Sequence, residues 1–307
     1  MTGRARVFVV DGLDRVSGVQ KVINEFDLSV FSGSEVALKA NYNSADPFPA
    51  STHIQTLDGI CSAILDQHPK KLTLAERSGM GNTADVLKRM GVLDLARERG
   101  FTAVVLDEAG RNGWQEIQSP LLTWQRGIFL GAVFAQADRI IHTCCLKTHR
   151  FGGHFTLSLK NAVGCIARRV PGLDYDFMHE LHTSNHQRRL IAEISRFCRA
   201  DLIIMDAIEG FSSGGPDKGR LVRPGVILAT TDRVAIDAVG VALLRSYGTI
   251  PDVTNGKIFE QEQIARAAEL GVGVISADRI QLESLDSHGE NVAAKIQEQL
   301  DKDAPGY

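Results

Sequence analysis

Gln187-Arg188-Arg189-Leu190-Ile191-Ala192-Glu193-Ile194-Ser195-Arg196-Phe197-Cys198-Arg199 runs almost directly into Leu202-Ile203-Ile204-Met205. In the first part Leu190, Ile191, Ile194 and Phe197 recur at i, i+1, i+4 and i+7, the spacing of one buried helix face. The second part is a short unbroken apolar run, which fits a strand buried on both faces. The same alternation extends outward in both directions. Arg6-Val7-Phe8-Val9-Val10, Val36-Ala37-Leu38, Leu72-Thr73-Leu74, Thr102-Ala103-Val104-Val105-Leu106 and Arg139-Ile140-Ile141-His142 read as earlier strands, and Val226-Ile227-Leu228-Ala229 as a later one. Helical patterns cover His53 to Gln67, Thr83 to Met90, Arg233 to Tyr247 and Lys257 to Leu270. Such alternation predicts an α/β fold: a mostly parallel sheet flanked by helices. Residues 1–307 are read as one domain, with room for two intertwined α/β lobes, the second beginning near residue 200.

The chain has 307 residues, 44% apolar and 23% charged, the composition of an ordinary soluble globular protein. Its formal net charge of −3 and its 6% aromatic content disfavour nucleic acid as a partner. No apolar run reaches the roughly 18 to 20 residues needed to cross a bilayer. Met1 to Val10 lacks the apolar core of a secretory signal. Five cysteines (Cys61, Cys144, Cys145, Cys165, Cys198) make an odd number with no CxxC spacing, so a disulfide framework and an iron–sulfur cluster motif are both illegible. The expectation is a reduced, cytoplasmic protein, with Cys144 and Cys145 as a buried pair of thiols. A homo-oligomer is left open.

Ligands of parallel sheets sit beyond the carboxyl ends of the strands, so the residues that follow each strand are the ones to read. They are Lys39-Ala40-Asn41, Glu76 to Thr83, Asp107-Glu108, Leu146-Lys147-Thr148-His149, Asp206 with Glu209-Gly210, and Thr230-Thr231-Asp232. Ser78 to Thr83 is a glycine-bearing turn opening a helix. It fits either an anion site or a tight turn capped by Asn82 or Thr83, and it matches neither phosphate-loop nor dinucleotide spacing. Asp232 is read as a helix N-cap, and Asp237, set among apolar residues, as a carboxylate that needs a partner or a ligand.

Lys147 to Asn161 is the densest stretch. Lys147, Arg150, Lys160, His149 and His154 flank Gly152-Gly153. Glycine lets backbone approach a ligand, and lysine beside it neutralises phosphate or carboxylate, or acts as a desolvated amine. Lys160 sits among Leu157, Leu159, Ala162 and Val163, which argues against a solvated basic loop. From Lys147 to Arg199 nine Lys or Arg face four Asp or Glu, a net of +5 that leaves −8 for the rest of the chain. A basic middle in an acidic protein suits an anionic ligand. Six of the nine histidines fall between His142 and His186. If His179, His182 and His186 shared one helix, they would lie on one face and offer nitrogen ligands to a transition metal, without the HExxH spacing.

These pieces resemble the domain-of-unknown-function 362 family: Lys39-Ala40-Asn41, Ala137-Asp138 before Lys147-Thr148-His149, Leu159-Lys160-Asn161 with Gly164, Asp206-Ala207-Ile208-Glu209-Gly210, Gly214-Gly215-Pro216, and Asp232-Arg233-Val234-Ala235-Ile236-Asp237. The resemblance covers about residues 35 to 275 and implies no agreed reaction. Some members carry a ferredoxin-like iron–sulfur segment or a twin-arginine signal, and neither is legible in this chain. Ala137-Asp138 to Lys160 is also similar to the matching stretch of the nickel-pincer lactate racemase family. There a strand leads to a histidine, a glycine-rich loop and a lysine that tethers the cofactor. His149 and Lys160 would hold those places, although Leu157-Ser158-Leu159-Lys160 stands where that family has a Gly-Gly-Ala-Lys type sequence.

Three readings follow. The first is an enzyme with an anionic small molecule in one cleft. In it His149, Lys160 and Lys147 do the chemistry, while Lys39, Asn41, Asn161, Gly215, Asp206, Glu209 and Asp237 bind or orient. The second is a metal-cofactor-dependent oxidoreductase or isomerase with His149, His154, His179, His182 and His186 as ligands. The third is a non-catalytic cofactor- or RNA-binding protein.

Overall fold

A computed structural model describes residues 3–303. The outermost residues of the expected 1–307 domain, 1–2 and 304–307, lie outside the described residues. Twelve strands are described: β1 (Ala5–Asp11), β2 (Glu35–Lys39), β3 (Lys71–Glu76), β4 (Thr102–Val105), β5 (Trp114–Ile117), β6 (Ile128–Gly131), β7 (Arg139–His149), β8 (His154–Thr156), β9 (Leu202–Gly214), β10 (Gly219–Val222), β11 (Val226–Thr230) and β12 (Ile280–Ser284). The main sheet runs β12-β1-β11-β9-β7-β2-β3-β4, with β8 paired to β7 and β10 to β9. β5 and β6 form a separate two-stranded sheet. The chain on either side of residue 200 shares the main sheet, because β9 lies between β7 and β11.

The sheet is mostly parallel, as expected. Within the main path β11 alone runs against its neighbours β1 and β9. Thr230 therefore pairs with Ile203 at the start of β9, and Asp232 falls at the sheet edge opposite the other strand ends. The expectation that Thr230-Thr231-Asp232 borders the same edge is corrected on this point. Asp232 caps the helix Arg233–Ser246, accepting from Ala235 N at 2.8 Å.

The apolar runs of the strands reflect burial on both faces. In β1, Val7 and Val9 join one core and Phe8 and Val10 another. In β9, Ile203 and Met205 face the first and Leu202 and Ile204 the second. Alternating Cβ directions put successive side chains on opposite faces, so both must be apolar. Helices Arg15–Ile23, Ile54–Leu65, Thr83–Arg89 and Val92–Arg99 cover one face. Helices Arg233–Ser246, Glu262–Glu269 and Ser287–Asp301 cover part of the other, and a third core around Phe134, Phe177 and Ile191 fills the rest. Among the described residues no helix is long and apolar enough to cross a membrane.

Two strands outrun their sequence signal. β7 continues past His142 to His149, and β9 past Met205 to Gly214. Polar residues inside them are held by pairing to β8 and β10. The Gln187 helix ends at Ile194, five residues before Arg199.

Candidate functional site

β2, β3 and β7 are parallel neighbours, so their ends meet at one sheet edge. That brings Lys39-Ala40-Asn41, Glu76-Arg77-Ser78 and Lys147 together. Lys147 and His149 are two apart on β7 and therefore project from the same face. The chain then turns through Gly152 and Gly153, returns as β8, and enters the short helix Ser158–Asn161, which carries Lys160 and Asn161. Asp237 fixes this helix from the Arg233–Ser246 helix: its carboxylate accepts from Ser158 N at 2.8 Å and from Leu159 N at 3.2 Å.

These elements enclose a cleft of about 480 Å³ whose floor is formed by Lys39, Asn41, Arg77, Lys147, Lys160 and Asn161. Lys39 Nζ donates to Glu76, at 2.7 Å to Oε1, and to Asn161 Oδ1 at 3.2 Å. Lys147 Nζ donates to Asn41 Oδ1 at 2.6 Å and to Ala50 O. Arg77 donates to Ile166 O and Val163 O, both at 2.8 Å, and to Met178 Sδ at 3.2 Å. Lys147 and Arg77 are thus buried cations bonded only to neutral acceptors. Lys160, 9% exposed, has no hydrogen-bond partner for its ammonium among the described residues.

Burial is the first cause of every pKa shift here. It pushes Lys160 down to about 8, assisted by Lys147 and Arg77. It also lowers Lys147. His149 is driven far below the ordinary histidine range by burial, Lys160 and Lys147, so its ring stays neutral. Its Nδ1 is buried without a partner, and its ring meets Phe151 edge-on at 5.6 Å. Two glycines are sterically required. A Cβ on Gly153 would lie 2.8 Å from Lys160 Cε and 3.1 Å from His149 Nδ1, and one on Gly164 would lie 2.6 Å from Lys39 Cε.

Residues 36–242 match the family model described as Domain of unknown function (DUF362). The chain belongs to this family. The match runs from β2 into the Arg233–Ser246 helix and so contains the whole cleft floor. The lactate racemase apoprotein from Thermoanaerobacterium thermosaccharolyticum has a similar solved structure, over 96% of this chain and 86% of that one, at 11% sequence identity and a TM-score of 0.46. No curated protein matches.

Within this DUF362 chain the structure brings Lys39, Asn41, Lys147, His149, Lys160 and Asn161 to the cleft, with His179 and His182 toward its outer wall. Other expected residues lie elsewhere. Asp206 is buried on β9 against Arg15 Nε at 2.9 Å and Thr56 Oγ1 at 2.5 Å. Glu209 pairs with Arg223. A register shift after the Cys145–Asp206 pair sets Leu146 opposite Gly210, and Asp206 and Glu209 do not line the cleft. Asp237 spends its carboxylate on backbone amides behind Lys160, and burial raises its pKa to about 7. Gly215 does not line the cleft, although Pro216 does; at φ +58° its Cβ would meet Thr148 O at 2.0 Å.

The expected histidine ligand set does not converge. The helix Phe177–Thr183 stops before His186, which precedes a separate helix, so His179, His182 and His186 share no continuous face. His154 pairs with His149 across the β7–β8 hairpin and does not line the cleft. Among the described residues the metal-competent group is His142, Cys165 and Cys198, all buried, with ligand atoms within 4.8 Å of one another. His142 Nε2 lies 3.9 Å from Cys198 Sγ and 3.0 Å from Arg233 Nη2. Asn82 caps the Thr83 helix through Asp85 N, the turn-and-cap alternative for that segment. Sequence reasoning placed Glu76 and Arg77 at the strand end but gave them no role in the site. A charged pair directly after an apolar strand was the available signal.

Proposed function

We propose that this DUF362 protein is an enzyme that holds an anionic small molecule, bearing phosphate or carboxylate, in the cleft at the ends of β2, β3 and β7. The observation that carries this reading is Lys160: a largely buried lysine lining the cleft with no acceptor for its ammonium among the described residues, beside Lys147 and Arg77, which are bonded to neutral groups only. Buried cations without counter-charge are costly, and a bound anion removes the cost. In this reading Lys147, Arg77 and Asn41 hold the anion. Lys160, titrating near neutral pH, carries the proton the reaction moves. His149 stays neutral and borders the ligand with its ring. The five free thiols support a reducing, cytoplasmic setting.

The test is calorimetric titration of the purified protein with inorganic phosphate and with acetate, repeated on Lys147→Met. Saturable binding that the variant loses is the expected result, and absence of binding of either anion at millimolar concentration would sink the proposal. A ligand that copurifies with the protein and is never turned over would assign the cleft to a carrier instead.

A second reading, a metal-cofactor-dependent enzyme, rests on a separate observation, the His142, Cys165 and Cys198 group. Two thiols and an imidazole are a donor set for soft or borderline transition metals. Elemental analysis of untagged protein tests it. A near-stoichiometric metal lost in Cys165→Ser supports it, and metal-free protein overturns it.

A further inference from the structure

The charges of the cleft do not balance, and the imbalance specifies the ligand. Its charged residues that are at least nine-tenths buried are Lys39, Arg77, Lys147, Lys160 and Glu76. Lys39 and Glu76 neutralise each other. Arg168 and Asp176 do the same at the rim. Arg77, Lys147 and Lys160 remain as three cations with no acid bonded to their side chains among the described residues; Asp107 and Glu76 act on Arg77, and Asp217 on Lys147, only through space. The groups around Lys160 do not supply it with an acid. From β7 come Lys147 and neutral His149. From the segment after β3 comes Arg77. From the helix Phe177–Thr183 comes His182, itself depressed by burial and by Lys160. From the Arg233–Ser246 helix comes Asp237, whose oxygens are turned to the amides of Ser158 and Leu159.

We infer that the cleft takes a ligand carrying at least two negative charges, a phosphate monoester or a dicarboxylate, and that its arrival places a proton on Lys160. This deepens the anion-binding reading and rests on it. A monoanion leaves two of the three buried charges uncompensated. A dianion offsets Arg77 and Lys147 and leaves acceptor oxygens for the Lys160 ammonium, which has none among the described residues. Without ligand, burial and its two cationic neighbours already hold Lys160 down to about 8, so near that pH a fraction of molecules lacks the proton. An anion beside the amine restores it.

The experiment is titration calorimetry on the full chain near pH 8 with paired probes: methyl phosphate against dimethyl phosphate, and malonate against acetate. Each dianion is expected to bind at least about tenfold more tightly than its monoanionic partner. Measured enthalpies in Tris and in HEPES should differ by an amount that reports uptake of a fraction of one proton. The affinity of wild-type protein for malonate should fall as pH rises from about 8 to 10, approaching tenfold per unit, because the proton must then be taken from solution. In Lys160→Met, which circular dichroism checks for folding, the uptake should vanish. Equal affinities within each pair would overturn the inference and leave the anion reading standing. Dianion binding with no proton uptake and no pH dependence would overturn the role of Lys160. Failure of all four probes to bind would overturn the anion reading itself.

Discussion

Two sets of buried charge lie at the same sheet edge and are treated in opposite ways. Around Asp206 the carboxylate meets Arg15 Nε at 2.9 Å and Thr56 Oγ1 at 2.5 Å, and Arg15 also stacks on Phe48. Every charge there has its partner within the chain. In the cleft, among the described residues, Lys147 and Arg77 find only neutral acceptors and Lys160 finds none. The first set is a finished piece of structure and the second is complete only with something added. Residue type does not separate them, since both contain buried ionisable groups; satisfaction within the chain does.

The contrast can be broken by mutation, beginning where the effect is largest. Arg15→Leu strips the partner from a fully buried carboxylate and should cost about 3 kcal/mol of stability by denaturant titration. A loss below about 1 kcal/mol would mean that Asp206 is not held by this pair. Lys160→Met should act in the opposite direction. The Lys160 pKa in the folded protein, about 8, lies below the ordinary 10.5, so the unfolded chain holds that proton more tightly. The penalty is full below about pH 8 and is relieved as pH rises toward 10.5. The variant should therefore be more stable than wild type at pH 7, by about 1–3 kcal/mol, with the difference shrinking above pH 8. It should still bind anions through Arg77 and Lys147, but more weakly. Destabilisation at pH 7 would place Lys160 with the structural charges.

Asp237 joins the two behaviours, being satisfied itself and serving the unsatisfied group. Asp237→Ala leaves the amides of Ser158 and Leu159 without acceptors and should cost about 1–3 kcal/mol. It should weaken anion binding by displacing Lys160, with the thermal unfolding midpoint and the calorimetric affinity falling together. Gly153→Ala is the smallest change. Its methyl would sit 2.8 Å from Lys160 Cε, so affinity should drop several-fold while stability moves by less than about 1 kcal/mol.

Much of this was legible in the residues. The alternation of doubly buried strands with amphipathic helices announced the α/β sheet, because burial on both faces leaves an uninterrupted apolar run. Lys39, Lys147, His149 and Lys160 were recognisable as site candidates because charged residues in or just after apolar sequence are expensive to bury. Asp206 and Glu209 answered the same description, and no sequence pattern announces the register shift that separates them from the cleft. The reversed direction of β11 was equally hidden, since a buried strand reads the same whichever way it runs. Its direction decided that Asp232 caps a helix at the far edge.

By itself, then, the sequence determined the kinds of element, the layers they form and the short roster of residues from which a site must be built. Local physics controls these: side-chain period, propensity and the cost of burying charge act over a few neighbouring residues. The tertiary structure alone decided which charges cancel. Lys39 met Glu76 across 37 positions of chain and Arg15 met Asp206 across 191. Lys160 met no acid among the described residues. Pairing energy falls off over a few ångströms, and only the folded chain sets distances on that scale.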